Sequence, residues 1–303
     1  MAPTAIGRPV RAVSISFQGL DLDEVVRLVD AEGACGADLI ALPETFLGQD
    51  GPPQTLEGEI ICAMSELARQ HSTYIVCPMD RQADARRLNS AVLLDRDGHV
   101  VCVYDKVFPY WSEFDITPAV QLGEEAPVYE TDFGKIGMAI CFDANFPEVW
   151  RRLADQGAEL VVWPSAYSAG TTLQAHALTN HFYVLSCTQS RDCILYDITG
   201  EEILYHKSPR VNTTRVTLDL DRGIYHQNFN TDKLEKLLAE HGEEVCREHW
   251  LEREQWFVLR ATRPGVSARG LAREYGLEEL RDYINRSRAD IDGMRGWRFA
   301  DAD

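Results

Sequence analysis

Three residues with complementary chemistry stand where apolar, strand-like runs end. Glu44 follows the run 38–42 and Pro43, Lys106 follows the run 100–104 and Asp105, and Cys141 follows the run 136–140. Open α/β sheets place their reactive groups at such strand ends. A cysteine thiol with an ordinary pKa of about 8.5 attacks poorly at neutral pH unless a base removes its proton or a positive charge holds the thiolate. A carboxylate can be that base. A lysine can hold both the thiolate and the oxyanion that forms when a carbonyl is attacked. The trio therefore suits nucleophilic attack on an acyl carbon. Taken singly, each has a plain structural role: a strand-end cysteine as a small core residue, a glutamate as a helix-terminus charge, a lysine as an edge charge.

The elements that must carry these residues are readable from pattern. Residues 10–17 alternate and are β-branched, which predicts a strand. Residues 21–35 carry Leu22, Val25, Val26, Leu28 and Val29 at helical spacing, with Asp21 as the cap. A short strand over 38–42, an amphipathic helix over 58–71 and a strand over 74–78 come next. Two strands over 90–95 and 100–104 flank Asp97-Gly98, a hairpin signal. Further strands are expected over 128–133, 135–142, 159–163, 183–189, 193–197, 202–206 and 215–220. A helix is expected over 147–157, with Pro147 in its first turn. Strands and helices that alternate in this way, with hairpins inserted, predict an α/β fold with mixed sheets.

The sequence around the three residues narrows the reading. Ala41-Leu-Pro-Glu-Thr-Phe46, Tyr104-Asp-Lys-Val-Phe108 and Gly137-Met-Ala-Ile-Cys-Phe-Asp143 occur in that order. Asn145-Phe-Pro-Glu148 and Gly157-Ala-Glu-Leu-Val-Val-Trp-Pro-Ser165 come after them. In motifs, order and spacing the chain resembles the nitrilase superfamily of carbon–nitrogen hydrolases over about residues 9–223. The resemblance implies a four-layer αββα sandwich and a Glu-Lys-Cys triad. Glu44 would act as general base and then acid, Lys106 as oxyanion donor and Cys141 as nucleophile, with the Phe142 N–H completing the oxyanion hole. Glu113, seven residues beyond the lysine, matches a second glutamate that many members carry. It lies among Tyr110, Trp111 and Phe114, whose rings would shield it from water. The implied reaction hydrolyses a small amide or N-carbamoyl compound through a thioester, with no metal or organic cofactor. Phe142-Asp143 after the cysteine is similar to the amidase and carbamoylase branches, whereas nitrile hydrolysers carry Trp-Glu there. Nitrile hydrolysis and acyl transfer are the alternatives within the superfamily. Phe46, Trp111, Phe142, Asn145 and Tyr167 are expected to wall the substrate site. Many amidase relatives carry Arg where this chain has Asn145, so the resemblance implies a neutral, partly apolar acyl group rather than a free carboxylate.

Composition excludes other classes. The 303 residues include 30 Lys+Arg and 48 Asp+Glu, a net charge of −18. That balance opposes binding to nucleic acid or to an anionic membrane surface. No apolar run approaches membrane-spanning length, and no signal-peptide pattern opens the chain. The eight cysteines form no C-x-x-C pair, which fits reduced thiols in a cytoplasmic protein. His176 and His181, five residues apart, do not make a metal pair.

Residues 224–303 are expected to form a helical extension to the 9–223 core, with helices over 231–260 and 267–288, packed on the core or on a partner subunit. Leu234, Leu237, Leu238, Val245 and Trp250 are expected to supply an apolar face that helps to build at least a homodimer. The stretch 267–277 superficially resembles the start of a helix-turn-helix, but Glu274, Glu278, Glu279 and Asp282 would face phosphates, which disfavours a DNA-binding role. Cys141 is expected to alkylate fastest of the eight thiols.

Overall fold

The computed structural model describes residues 5–298, which divide into two compact units. The first, Val10–Leu218, contains two six-stranded sheets. The other joins residues 5–9 to the segment that begins at Asp219.

In the larger unit, β1 (Pro9–Ser16), β2 (Leu39–Ala41) and β3 (Tyr74–Ala83) run parallel, and β4 (Arg86–Leu94) and β5 (Val100–Asp105) continue antiparallel. With β12 (Asn212–Asp219) on the other edge, the order is β12-β1-β2-β3-β4-β5. The second sheet repeats this plan. β7 (Lys135–Met138), β8 (Leu160–Ser165) and β9 (Tyr183–Thr188) are parallel, flanked by antiparallel β6 (Val128–Glu130), β10 (Asp192–Tyr196) and β11 (Glu202–Lys207). Strands at the centre of each sheet are covered on both faces. This is why β2 and β8 are continuously buried runs rather than alternating ones.

The sheets meet face to face. The Ser14 hydroxyl donates to the Ser186 carbonyl at 2.9 Å, the Thr188 N–H donates to the Ser16 hydroxyl at 2.9 Å, and the Cys187 thiol donates to the Ala41 carbonyl. Outside the first sheet lie α1 (Leu22–Ala34) and α2 (Glu59–His71), whose Val25, Val29, Met64 and Leu67 pack with Val13, Ile15 and Ile40. Asp21 caps α1 by accepting from the Glu24 N–H at 2.8 Å, and the Glu24 side chain accepts from the Asp21 N–H at 3.1 Å. Outside the second sheet lie α3 (Pro147–Asp155) and α4 (Thr171–Asn180). Gly137 lets α3 approach β7, because a Cβ there would stand 2.8 Å from Leu153 Cδ2. The result is the αββα layering.

The second unit carries helices, as expected for its sequence, but also a sheet that was not expected. Its three-stranded sheet has the order β13-β15-β14, with β13 (Gly223–His226), β14 (Val245–Leu251) and β15 (Trp256–Ala261). The expected helix over 231–260 ends early. Only α5 (Thr231–His241) forms, Gly242 caps it, and a hairpin comes next. The reason is local. Trp256, Phe257 and Val258 favour a pleated surface, and Trp250 stacks on Phe257 at 5.9 Å. The second expected helix breaks into α6 (Ala268–Glu274) and α7 (Leu280–Arg295) around Gly276 at φ 71°. Leu234, Leu237 and Val245 do not form an outward face: they are the core of this unit, with Tyr225, Phe257 and Leu259. Trp250 alone of the strongly apolar group stays 40% exposed. No helix among the described residues is long and apolar enough to cross a membrane.

Candidate active site

Cys141 is set by the turn after β7. It opens a 3-10 turn, Cys141–Asn145, and sits at φ 47°, in the left-handed region that costs a non-glycine residue free energy. Asp143, fully buried, fixes the turn. Its carboxylate accepts from the Tyr104 hydroxyl at 2.6 Å, the Phe108 N–H at 2.9 Å and the Ile140 N–H at 2.8 Å. Asp143 thus ties the cysteine turn to the end of β5, from which Lys106 projects. Burial pushes the Asp143 carboxyl up to about 6, against the pull of those three donors.

Glu44 leaves the end of β2 and is 4% exposed. Its Oε1 accepts from Lys106 Nζ and from Asn89 Nδ2, both at 2.8 Å. Its Oε2 accepts from the Ala166 N–H at 2.8 Å, and its carbonyl accepts from Gln189 Nε2 at 2.7 Å. Glu113, in the 3-10 turn Trp111–Phe114, accepts from Lys106 Nζ at 2.6 Å, from the Tyr110 N–H at 2.8 Å and from Asn89 Nδ2 at 2.7 Å. One buried ammonium and one buried amide therefore hold two buried carboxylates.

The electrostatics come from that packing. Burial by itself disfavours the Lys106 charge and is the largest single influence. The carboxylates of Glu44 and Glu113, to both of which it donates, outweigh it and hold the ammonium above the ordinary lysine value. The Cys141 thiol is pushed up to about 12, first by burial and then by Glu44, with Lys106, the Ser165 hydroxyl and the Ala166 N–H opposing. The resting nucleophile is thus a neutral thiol beside a carboxylate that can take its proton.

Cys141, Glu44, Lys106 and Glu113 line one cavity of about 740 Å³. Phe142, Asn145 and Tyr167, expected as substrate contacts, are on its wall. Asn145 donates from Nδ2 to the Phe142 carbonyl at 3.1 Å. Two expected contacts are not on the wall. Phe46 points into the core under the first sheet, edge-on to Phe17 at 6.1 Å. Trp111 is 64% exposed and leans on Tyr110 instead. Three residues that sequence reasoning missed belong here. Asn89 is a buried amide on β4, Gln189 stands at the end of β9, and Asp50 lies on the loop after Glu44. The only hint for Asn89 was a polar pair, Asn89-Ser90, opening an apolar run.

Comparison with known proteins identifies the family and the fold. The family model described as carbon-nitrogen hydrolase matches residues 20–222. A deaminated glutathione amidase of Synechocystis is 30% identical over 195 residues, covering 56% of this chain and 72% of the relative. The human omega-amidase NIT2 is 25% identical over 204 residues, covering 59% and 74%. Among solved structures, Saccharomyces cerevisiae Nit3, a member of branch 10 of the nitrilase superfamily, superposes with a TM-score of 0.61 at 19% identity, covering 72% of this chain and 93% of that one. An amidase from Nesterenkonia sp. superposes with a TM-score of 0.60 at 21% identity, covering 78% and 98%.

Proposed function

The chain belongs to the carbon–nitrogen hydrolase family, and from that premise we propose that it hydrolyses small amides or N-carbamoyl compounds through a Cys141 thioester. The observation that carries the reading is the buried carboxylate of Glu44, held between Lys106 and the Ala166 N–H on the cavity that Cys141 also lines.

The steps are set by the donors present. Glu44 takes the Cys141 proton as the sulfur bonds to the substrate's carbonyl carbon, and the π electrons of that carbonyl move to oxygen. An ammonium has three hydrogens. Two of those on Lys106 are committed to Glu44 and Glu113, which leaves the third for the oxyanion beside the Phe142 N–H. As the intermediate collapses, the C–N bond breaks and Glu44 passes its proton to the leaving nitrogen. Ammonia or an amine departs, leaving a thioester. Glu44 then deprotonates a water that attacks the thioester, and the carboxylic acid leaves as Cys141 regains its proton. Glu113 and Asn89 keep the lysine and Glu44 aligned through both halves.

The wall supports a neutral acyl group. Among the described residues Lys106 is the only cationic side chain on it, and its charge already faces two carboxylates, while Asp50 adds a further negative charge. The test is ammonia release across amides, carbamoyl compounds and nitriles, with Cys141→Ala as the control. Loss of turnover in that variant and an acyl adduct on Cys141 by mass spectrometry are expected. Turnover that survives Cys141→Ala overturns the reading.

The same proposal extends to setting and assembly. All eight cysteines are free thiols, which supports a reducing, cytoplasmic location. Leu178, Ile203 and Tyr205 are exposed apolar residues of the helix and edge strand beside the second sheet, and they support at least a homodimer. A monomer by light scattering at micromolar concentration overturns that part.

A further inference from the structure

The peptide that joins Cys141 to Phe142 is held at one end only. Its carbonyl, on Cys141, accepts the Trp163 indole N–H at 3.1 Å. Its N–H, on Phe142, donates to no acceptor among the described residues. A trans peptide is planar, with C=O and N–H pointing in opposite directions, so whatever fixes the oxygen also aims the N–H. Trp163 lies on β8, is fully buried and is not on the cavity wall, whereas Cys141 and Phe142 are. The N–H is therefore directed away from the indole and toward the cavity.

We propose that Trp163 is a positioning residue whose indole N–H aims the Phe142 N–H at the oxyanion. The inference rests on the thioester reading above and adds the group that keeps its oxyanion hole in register. Cys141 is strained at φ 47°, and rotation of the peptide plane next to it is the easy route to relief. The indole opposes that rotation. It also polarises the peptide it binds, because hydrogen bonds in a chain strengthen one another in a low-dielectric interior. Neighbouring carbonyls of the turn have their own anchors: the Trp150 indole N–H donates to the Asp143 carbonyl at 2.9 Å, and His176 Nε2 stands 2.8 Å from the Ala144 carbonyl. Those anchors hold the turn as a whole, and the Trp163 bond orients the peptide whose N–H is aimed at the oxyanion.

The experiment separates positioning from packing with two probes of the same sulfur. 4-Nitrophenyl acetate acylates Cys141 through a tetrahedral oxyanion: the S–C bond forms, the carbonyl π electrons move to oxygen and return as 4-nitrophenolate leaves. Chloroacetamide alkylates Cys141 by direct displacement of chloride, with no oxyanion. Trp163→Phe removes the N–H. A second variant carrying 3-benzothienylalanine at position 163 removes it while keeping the shape of the ring system, so the test survives if phenylalanine leaves a cavity that unfolds the protein. Loss of a direct oxyanion donor costs about 10²–10³-fold. Loss of the group that aims one is expected to slow acylation about 10- to 100-fold, with half-saturation and chloroacetamide alkylation within about 2-fold of the parent protein. Acylation at the parent rate in both variants overturns the inference, and so does a parallel fall in acylation and alkylation. Cys141→Ala is run beside them. If it acylates as fast as the parent, it is the thioester reading that fails.

Discussion

Glu113 Oε2 lies 2.6 Å from the Lys106 ammonium, nearer than the 2.8 Å that separates the same nitrogen from Glu44 Oε1. The second glutamate is thus the closer partner of the lysine. It keeps the lysine charged in a buried site while Glu44 gains and loses its proton. It also accepts from the Tyr110 N–H, so it anchors the loop that walls the cavity.

Glu113→Gln tests that pair. The substitution keeps the size of the side chain and removes its charge, leaving Lys106 with Glu44 alone. We expect kcat to fall about 100-fold, the lower end of what positioned acid–base groups contribute, with KM changed only a few-fold. Steady-state kinetics with any amide the enzyme accepts will check this. An unchanged kcat with a lowered melting temperature would make Glu113 a stabilising residue only.

Thiol reactivity gives a second prediction, and here the structure reverses a sequence expectation. The motif around Cys141 points to it as the first thiol to alkylate, but it is 7% exposed and its thiol is pushed up to about 12. Cys35 and Cys62 are exposed. A bulky maleimide at pH 7 should therefore modify Cys35 and Cys62 before Cys141, with peptide mapping as the readout. Activation of Cys141 then comes with the substrate, as Glu44 takes its proton during attack. Cys141 labelled first would mean that the thiolate exists at rest.

A third prediction concerns pH and Asp143. Its carboxyl is raised from 3.8 to about 6 in the folded state, chiefly by burial. Between those values the folded protein binds more protons at this group than the unfolded chain does. Its contribution to stability is therefore largest below about pH 4 and is lost as pH rises to about 6, at no more than about 1.4 kcal/mol per unit. Asp143→Asn cannot titrate. The stability gap between parent and variant should narrow as pH rises from 4 to 6, read by urea denaturation. A gap that widens over that window would show that the buried carboxyl is ionised throughout.

Much of this was legible in the chain, and the failures have physical causes. Glu44, Lys106 and Cys141 could be read because each sits beside a distinctive strand end. The apolar runs of β2 and β8 marked the buried parallel strands. The hairpin of β14 and β15 was hidden because Arg247, Glu248 and His249 stand in a row at the centre of β14 and break any alternation, and such a polar run also suits a helix. α4 was hidden because it buries Leu173, His176, Ala177 and Asn180 together, so its buried face shows no apolar stripe. Asn89 and Trp163 act on residues 45 and 22 positions away. No local pattern encodes such contacts. Phe46 failed as a wall residue because side-chain direction cannot be read from proximity in sequence: it lies two residues from Glu44 yet joins the core with Phe17.

The last prediction tests the sign of the cavity. Glu44, Glu113 and Asp50 face it against the single ammonium of Lys106, and that ammonium already serves both glutamates. A substrate carboxylate entering here would lose its water without gaining a cation, a cost of several kcal/mol. A methyl group in the same place would instead gain about 25 cal/mol for each Å² withdrawn from water, against Tyr110, Ile116, Phe142 and Tyr167. Butyramide and succinamate differ only in this respect, as methyl against carboxylate at the far end of the same chain. A difference of about 3 kcal/mol corresponds to roughly 100-fold, and we expect kcat/KM to favour butyramide by at least that factor. Adding salt should narrow the gap, since part of it is repulsion by the exposed Asp50, and Asp50→Asn should narrow it further. A preference for succinamate would mean that a cation reaches the substrate from outside this wall, and the assignment of a neutral acyl group would be wrong.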